Sequence, residues 1–226
     1  MKAIKLYMIA LLGLLLSSCE LDNYDGPDAK FFGSIIDTGT NEAIPQDLIQ
    51  GSVIDYVELG FENPQIQQLR FKADGTFRNN LMFSGTYDVQ AVRGNFMEVP
   101  IETIEINGDT EHNFMTLPYI RVTEVSMALN ADSSRLIATF KLEQLVPEPV
   151  KSMMLVADLN PSVGVGIRSA TQGANVGRVV DPDEVFTIEL KTKSLEKGKE
   201  YFFRVCALID VPEAKYNFCT AVKVGI

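Results

Sequence analysis

The chain has 226 residues, 46% of them apolar, and carries 30 acidic against 20 basic side chains for a net charge of −10. That balance repels phosphate backbones and anionic headgroups, and no basic, aromatic-rich stripe interrupts it, so nucleic-acid binding is set aside. One histidine and three cysteines leave little material for a metal centre or for Cys–His catalysis.

Lys2 and Lys5 precede an apolar run from Leu6 to Leu16. A basic start, a short apolar segment and small residues before a cut describe a secretory signal. The run is too short to cross about 30 Å of hydrocarbon, which takes about 20 helical residues. It ends in Leu16-Ser17-Ser18-Cys19, which resembles the bacterial lipobox. That resemblance implies a signal peptide over residues 1–18 and acylation of the Cys19 thiol, with each buried CH₂ contributing about 0.8 kcal/mol to membrane attachment. Loss of Lys2 and Lys5 with the signal takes the net charge to −12. Residues 19–28 are acidic, lack Lys and Arg, contain Gly26 and Pro27, and read as a solvated tether. Such a lead resembles the surface-export signal of Bacteroidetes lipoproteins; a plain acidic linker has the same composition.

Residues 29–118 read as a first β module, because apolar residues alternate and turn signals recur. Strand-like runs cover 30–37, 52–59, 67–72, 85–90, 101–106 and 112–117. Asp74-Gly75 between two of them is a hairpin signal, since the turn needs a positive φ that glycine adopts freely. Asp74 is a turn residue on this reading, because a calcium site needs several carboxylates at close spacing. His112 reads as a strand residue. The order Gly33-Ser34-Ile35-Ile36-Asp37, then Asp74-Gly75-Thr76-Phe77, then Gly85-Thr86-Tyr87-Asp88-Val89 resembles carboxypeptidase-regulatory-like, transthyretin-like β-sandwiches. That resemblance implies a seven-stranded sandwich.

Residues 119–226 read as a second module after Pro118, and so short a linker restricts relative motion of the two. Alternating runs at 122–129, 135–142, 153–158, 185–190, 201–209 and 216–224 surround an irregular, glycine-bearing stretch at 160–182. Leu195-Glu196-Lys197-Gly198-Lys199-Glu200-Tyr201, continuing into Phe202-Phe203-Arg204-Val205-Cys206-Ala207, resembles the tyrosine corner and penultimate strand of fibronectin type III domains. In that register Tyr201, Phe203, Val205 and Ala207 point inward, and Phe202, Arg204 and Cys206 point outward. Tryptophan is absent, and Met153 and Met154 are expected to fill core space. A hairpin centred between Pro212 and Glu213 sets Cys206 opposite Cys219, which suits a cross-strand disulfide in an oxidising compartment. The alternative is two unpaired thiols on one exposed face.

The expected fold class is therefore all-β, two consecutive β-sandwich domains after a lipoprotein signal peptide. The lipobox, the Asp22-Asn23-Tyr24-Asp25-Gly26-Pro27-Asp28-Ala29 lead, and the Asp74–Asn79 and Tyr87 stretches together resemble a family of Bacteroidetes lipoproteins of uncharacterised function associated with glycan-utilisation loci. What this implies is a non-enzymatic accessory, anchored in the outer membrane and facing the cell exterior. It would hold oligosaccharide near an outer-membrane transporter and its starch-binding-type lipoprotein partner. Glycan binding needs exposed aromatic faces ringed by amides and carboxylates. Tyr56, Phe61 and Asn63, with Gln65, are the candidates in one loop region, and residues 160–175 form a second; core packing is the competing role of each aromatic. A structural spacer or adhesin-like module that docks a partner through a sheet edge is the alternative. No Ser-His-Asp set, metal-ligand cluster or phosphate loop points to an enzyme or a cofactor, and Glu102 and Glu105 fall on opposite faces of one strand.

Overall fold

The computed structural model describes residues 25–226; the signal segment and Cys19 lie outside the described residues. Alternation does what period-2 patterning dictates: Leu136, Ala138, Phe140 and Leu142 are buried, as are Phe186, Ile188 and Leu190, and the residues between face outward. No helix among the described residues is long and apolar enough to cross a membrane.

The first sandwich comprises β1 (Ala29–Asp37), β2 (Glu42–Ala43), β3 (Val53–Glu58), β4 (Gln67–Arg70), β5 (Thr76–Met82), β6 (Gly85–Val92), β7 (Glu102–Ile106), β8 (Asp109–Glu111) and β9 (Phe114–Thr116). One sheet runs β2-β1-β5, with β8 and β9 pairing parallel to β1; the other runs β4-β3-β6-β7. Phe31, Phe71, Phe77 and Phe114 pack between them with ring centroids 4.9–6.3 Å apart. Each such ring contributes on the order of 1.5–3 kcal/mol by leaving water. Gly75 turns the Asp74-Gly75 hairpin at φ +82°, and the Asp74 carboxylate accepts from the amide and hydroxyl of Thr76.

The second sandwich comprises β10 (Ile120–Leu129), β11 (Arg135–Gln144), β12 (Val150–Asp158), β13 (Ala170–Arg178), β14 (Val185–Lys191), β15 (Glu200–Ile209), β16 (Asn217–Phe218) and β17 (Val222–Gly225). A β10-β11-β14 sheet faces a β13-β12-β15-β16 sheet in which β17 also pairs with β15. The stretch expected to be irregular over 160–182 thus contains a nine-residue edge strand, β13, hidden from pattern reading because its side chains are small and mostly exposed on both faces. At the tyrosine corner the hydroxyl of Tyr201 accepts from the amide of Glu196 at 3.1 Å.

Tyr201, Phe203, Val205 and Ala207 do face the core. The opposite face of β15 corrects the sequence reading: Arg204 and Cys206 are fully buried as well, under a second apolar layer of Val156, Val163 and Phe218 that closes against the first module. The pairing register also differs from the hairpin expectation. Cys206 stands opposite Phe218, and the Cys219 amide donates to the Val205 carbonyl. Cys206 therefore lies in the outer layer and Cys219 in the sandwich core. The two are buried free thiols on opposite faces of the sheet, and the expected disulfide is absent.

Strand direction gives the first sandwich two poles. Residues 28–29, 59–66, 83–85 and 107–109 form the pole where the chain enters; residues 37–47, 71–75, 93–96 and 116–118 form the pole that meets the second sandwich.

Candidate functional site

Concave regions with polar chemistry lie at both poles of the first sandwich. At the seam between the sandwiches, cavities of about 190 Å³ and about 220 Å³ lie on either side of residues 43–45 and 220. Arg121 and Asp37 engage one another there, whereas the buried Oδ1 of Asn217 in the same lining accepts no hydrogen bond from the described residues. Arg121 grips Asp37 through Nε at 2.6 Å and Nη2 at 2.9 Å, and reaches Glu143 through Nη1 at 2.9 Å. Burial pushes the Asp37 carboxyl upward, but hydrogen bonds from Arg121 and Gly39 outweigh it and hold its pKa below the ordinary value. The paired carboxylates in turn raise the pKa of Arg121.

The seam is knitted by groups that pattern reading missed. Arg204, 1% exposed, donates from Nε to the Cys219 carbonyl and from Nη1 to the carbonyls of Gln46 and Val163. Its Nη2 reaches the Ala73 carbonyl at 3.5 Å, and its guanidinium lies 4.2 Å from the Phe218 ring centroid. Asp47 caps the amides of Ile49 and Gln50 with one oxygen and accepts the amides of Val165 and Gly166, across the seam, with the other. A Cβ on Gly164 would come within 2.5 Å of that carboxylate, which is why glycine stands there. Asn95 and Asn217 complete the seam: Asn95 donates to the Tyr216 carbonyl, and Asn217 donates to the Asn95 carbonyl at 2.7 Å. The signal for this burial was present in β15, where apolar residues occupy both parities and a lone arginine sits among them.

The entry pole is more open: Phe61, Asn63, Gln65 and Gln67 are exposed and Glu58 is half-buried. The β3–β4 loop presents Phe61, 64% exposed, beside a recess of about 240 Å³ lined by Glu58, Asn63, Pro64, Gln65 and Gln67. Gln65 Nε2 braces the loop by donating to the Asn63 carbonyl at 3.2 Å. Glu58 ends β3 opposite Tyr87, whose hydroxyl donates to the Phe83 carbonyl at 3.0 Å. Burial, followed by the nearby Glu58 charge, pushes the Tyr87 phenol up to about 12.

Of the three proposed contact residues, the structure brings Phe61 and Asn63 together and removes Tyr56. Tyr56 is 8% exposed, packs in the first core and donates to Gln67 Oε1 at 3.1 Å. Its parity on β3 turns the ring inward, so it supports the recess wall from behind and offers no stacking face. Glu58 and Gln67, at the strand ends flanking the loop, join the recess instead. An exposed aromatic ring with amide and carboxylate groups beside it can stack on an apolar ring face and exchange hydrogen bonds with hydroxyls. Among the described residues no group of three His, Cys, Asp or Glu side chains gathers to hold a metal ion.

The fold is shared with solved structures. A Bacteroides uniformis protein described as a candidate carbohydrate binding protein superposes with TM-score 0.78 and 28% identity, covering 89% of this chain and 100% of its own. A second Bacteroides uniformis protein, of the DUF3823 family, gives TM-score 0.77 at 18% identity over 88% of this chain and 100% of its own. A DUF3823 protein of Parabacteroides merdae gives 0.75 at 20% identity over 88% and 100%. No curated protein matches significantly. The model of the N-terminal domain of the protein of unknown function DUF3823 matches residues 29–117, and that of the DUF3823 C-terminal domain matches residues 120–223. The chain belongs to the DUF3823 family and carries both of its domains in order.

Proposed function

We propose that this protein is a non-enzymatic carbohydrate-binding lipoprotein, held in the outer membrane through acylated Cys19 and facing the cell exterior. There it presents oligosaccharide to an outer-membrane transporter working with a starch-binding-type lipoprotein. The observation that carries the binding reading is the exposed Phe61 ring beside the Glu58, Asn63, Gln65 and Gln67 side chains. The Bacteroides uniformis relative described as a candidate carbohydrate binding protein supports it, since it matches this chain along nearly its full length. Stacking on one aromatic face contributes about 0.5–1.5 kcal/mol beyond area burial, which makes weak binding of individual sugars the expected regime. Isothermal titration of the soluble domains against a panel of plant and host oligosaccharides tests this. A hit weakened about tenfold or more by Phe61→Ala, with folding unchanged, is the expected result; silence across the panel sinks the reading.

A second reading, a rigid spacer that docks another protein, is favoured by the Arg204 clamp, which ties the two sandwiches together by donating to the main-chain carbonyls of Gln46 and Ala73. Silence across the panel together with co-purification of a single surface protein would select it.

A further inference from the structure

The entry of the chain and the Phe61 recess occupy the same pole of the first sandwich, and the contacts between them are continuous. Asp28 Oδ1 accepts the amide of Ser84 at 2.7 Å, so the last residue before β1 is pinned to the β5–β6 turn. That hydrogen bond lowers the Asp28 pKa, so the pin is present at neutral pH. The next residue in the turn, Gly85, lies with its Cβ position 3.5 Å from the carboxylate of Glu58, which lines the recess. Leu59 donates its amide to the Thr86 carbonyl at 2.8 Å and leads into the Phe61 loop. The exposed side chains of Leu59, Phe61, Ile66 and Phe83 crowd this pole, and the second sandwich is fastened to the opposite one.

We infer that the recess is membrane-proximal: it favours short soluble oligosaccharides and free chain ends, and the membrane beneath weakens the binding of long polymers. This rests on the carbohydrate reading and on the Cys19 anchor proposed above. From Cys19 to Asp28 the chain spans nine peptide units, which reach at most about 30 Å when fully extended. A random coil of nine units averages about 17 Å end to end. Phe61, on the pole the tether leaves from, is therefore held within that range of the membrane plus part of the width of the pole. A long polysaccharide entering this gap loses conformational freedom that a short oligosaccharide does not have to give up, and its binding is weakened accordingly. The turn at 130–134, at the far end of the second sandwich, is free of this constraint.

Thiol labelling of the anchored full-length protein in open membrane fragments tests the geometry without any sugar. Asn63→Cys places a reactive thiol at the recess, and Asp132→Cys places one at the far turn; the resident Cys206 and Cys219 are buried. Two probes are compared, a small maleimide and a maleimide carrying a long polyethylene glycol chain. The small probe is expected to couple at both positions at similar rates. The polymer probe is expected to couple about tenfold more slowly at position 63 than at position 132, and insertion of a long Gly/Ser segment between Glu20 and Asp25 is expected to restore it. Equal polymer coupling at both positions, or slow coupling at position 63 that persists in the soluble domains, overturns the inference. The titration against the Phe61→Ala variant decides the carbohydrate reading separately.

Discussion

Arg204 donates to the main-chain carbonyl of Gln46 at 2.9 Å, across 158 positions of sequence, and so fastens the second sandwich to the first from inside. Burial lowers its pKa, and its guanidinium donates to the carbonyls of Gln46, Val163 and Cys219. Replacing it with methionine keeps much of the apolar stem and leaves the carbonyls of Gln46, Val163 and Cys219 without their donor. Stranding buried acceptors costs about 1–3 kcal/mol each before relaxation, so the seam is expected to lose on the order of 3 kcal/mol or more. We expect Arg204→Met to lower the first thermal transition by about 10 °C and to resolve two transitions where the parent shows one. A single unshifted transition would show that the sandwiches are joined by other contacts.

Asp37 and Arg121 form the second fastening, at the rim of the same seam, and its pH dependence has a definite sign. The folded pKa of Asp37 lies below the ordinary carboxylate value, so the pair stabilises the fold fully above about pH 4 and loses that contribution as pH falls through the folded value. Asp37→Asn leaves Arg121 with Glu143 alone and is expected to cost about 2 kcal/mol at pH 7. The difference between variant and parent in urea denaturation should shrink as pH falls from the ordinary carboxylate range through the lowered folded value. A difference that stayed constant over the whole acid range in which the parent remains folded would assign the loss to packing instead of charge.

Alternation and turn chemistry made the two sandwiches legible, because a half-buried strand must repeat with period two and Asp74-Gly75 can hardly be anything but a turn. The Phe61–Asn63 loop was legible for a related reason: an aromatic beside amides and Asn63-Pro64 has no strand pattern to bury it. What could not be read was the contact between modules. A side chain that faces away from its own core looks exposed in sequence, and only the placement of the two modules shows that Arg204 and Asp47 reach across to another wall. Tyr56 failed for the opposite reason, since nearness to the loop in sequence suggested a surface role that its parity on β3 denies. Strand β13 escaped because small residues exposed on both faces leave no periodic signal.

Cys19 carries the attachment in the proposed function, and its replacement separates anchoring from folding. On that proposal two or three acyl chains supply the membrane affinity, and no helix among the described residues is long and apolar enough to cross a membrane. Cys19→Ala is expected to move the protein from the membrane to the soluble fraction and to abolish incorporation of labelled fatty acid, with the thermal transition of the sandwiches unchanged. Retention of the variant in washed membranes would remove the anchor claim and with it the membrane-proximal placement of the recess.

The two thiols give the sharpest check on the register of the last hairpin. Cys206 and Cys219 sit on opposite faces of one sheet, so a bond between them would require one strand to rotate its side chains through the sheet. The Cys219 amide and sulfur both engage Val205, at 2.9 Å through the amide and 3.1 Å through Sγ, which holds Cys219 inward. Burial raises the pKa of both thiols, most strongly that of Cys206, so little thiolate is available for exchange or oxidation. For the soluble chain beginning after Cys19, we expect no reaction with a thiol reagent at pH 8 under native conditions. Two equivalents should react after denaturation without reductant, even in material secreted through an oxidising compartment. Cys206→Ala opens a space at the seam and Cys219→Ala one in the core, so each is expected to cost about 1–2 kcal/mol independently of reductant. Absence of free thiol in the denatured chain, or loss of stability on adding reductant to the parent, would instead place the two sulfurs on one face and shift the hairpin by one residue.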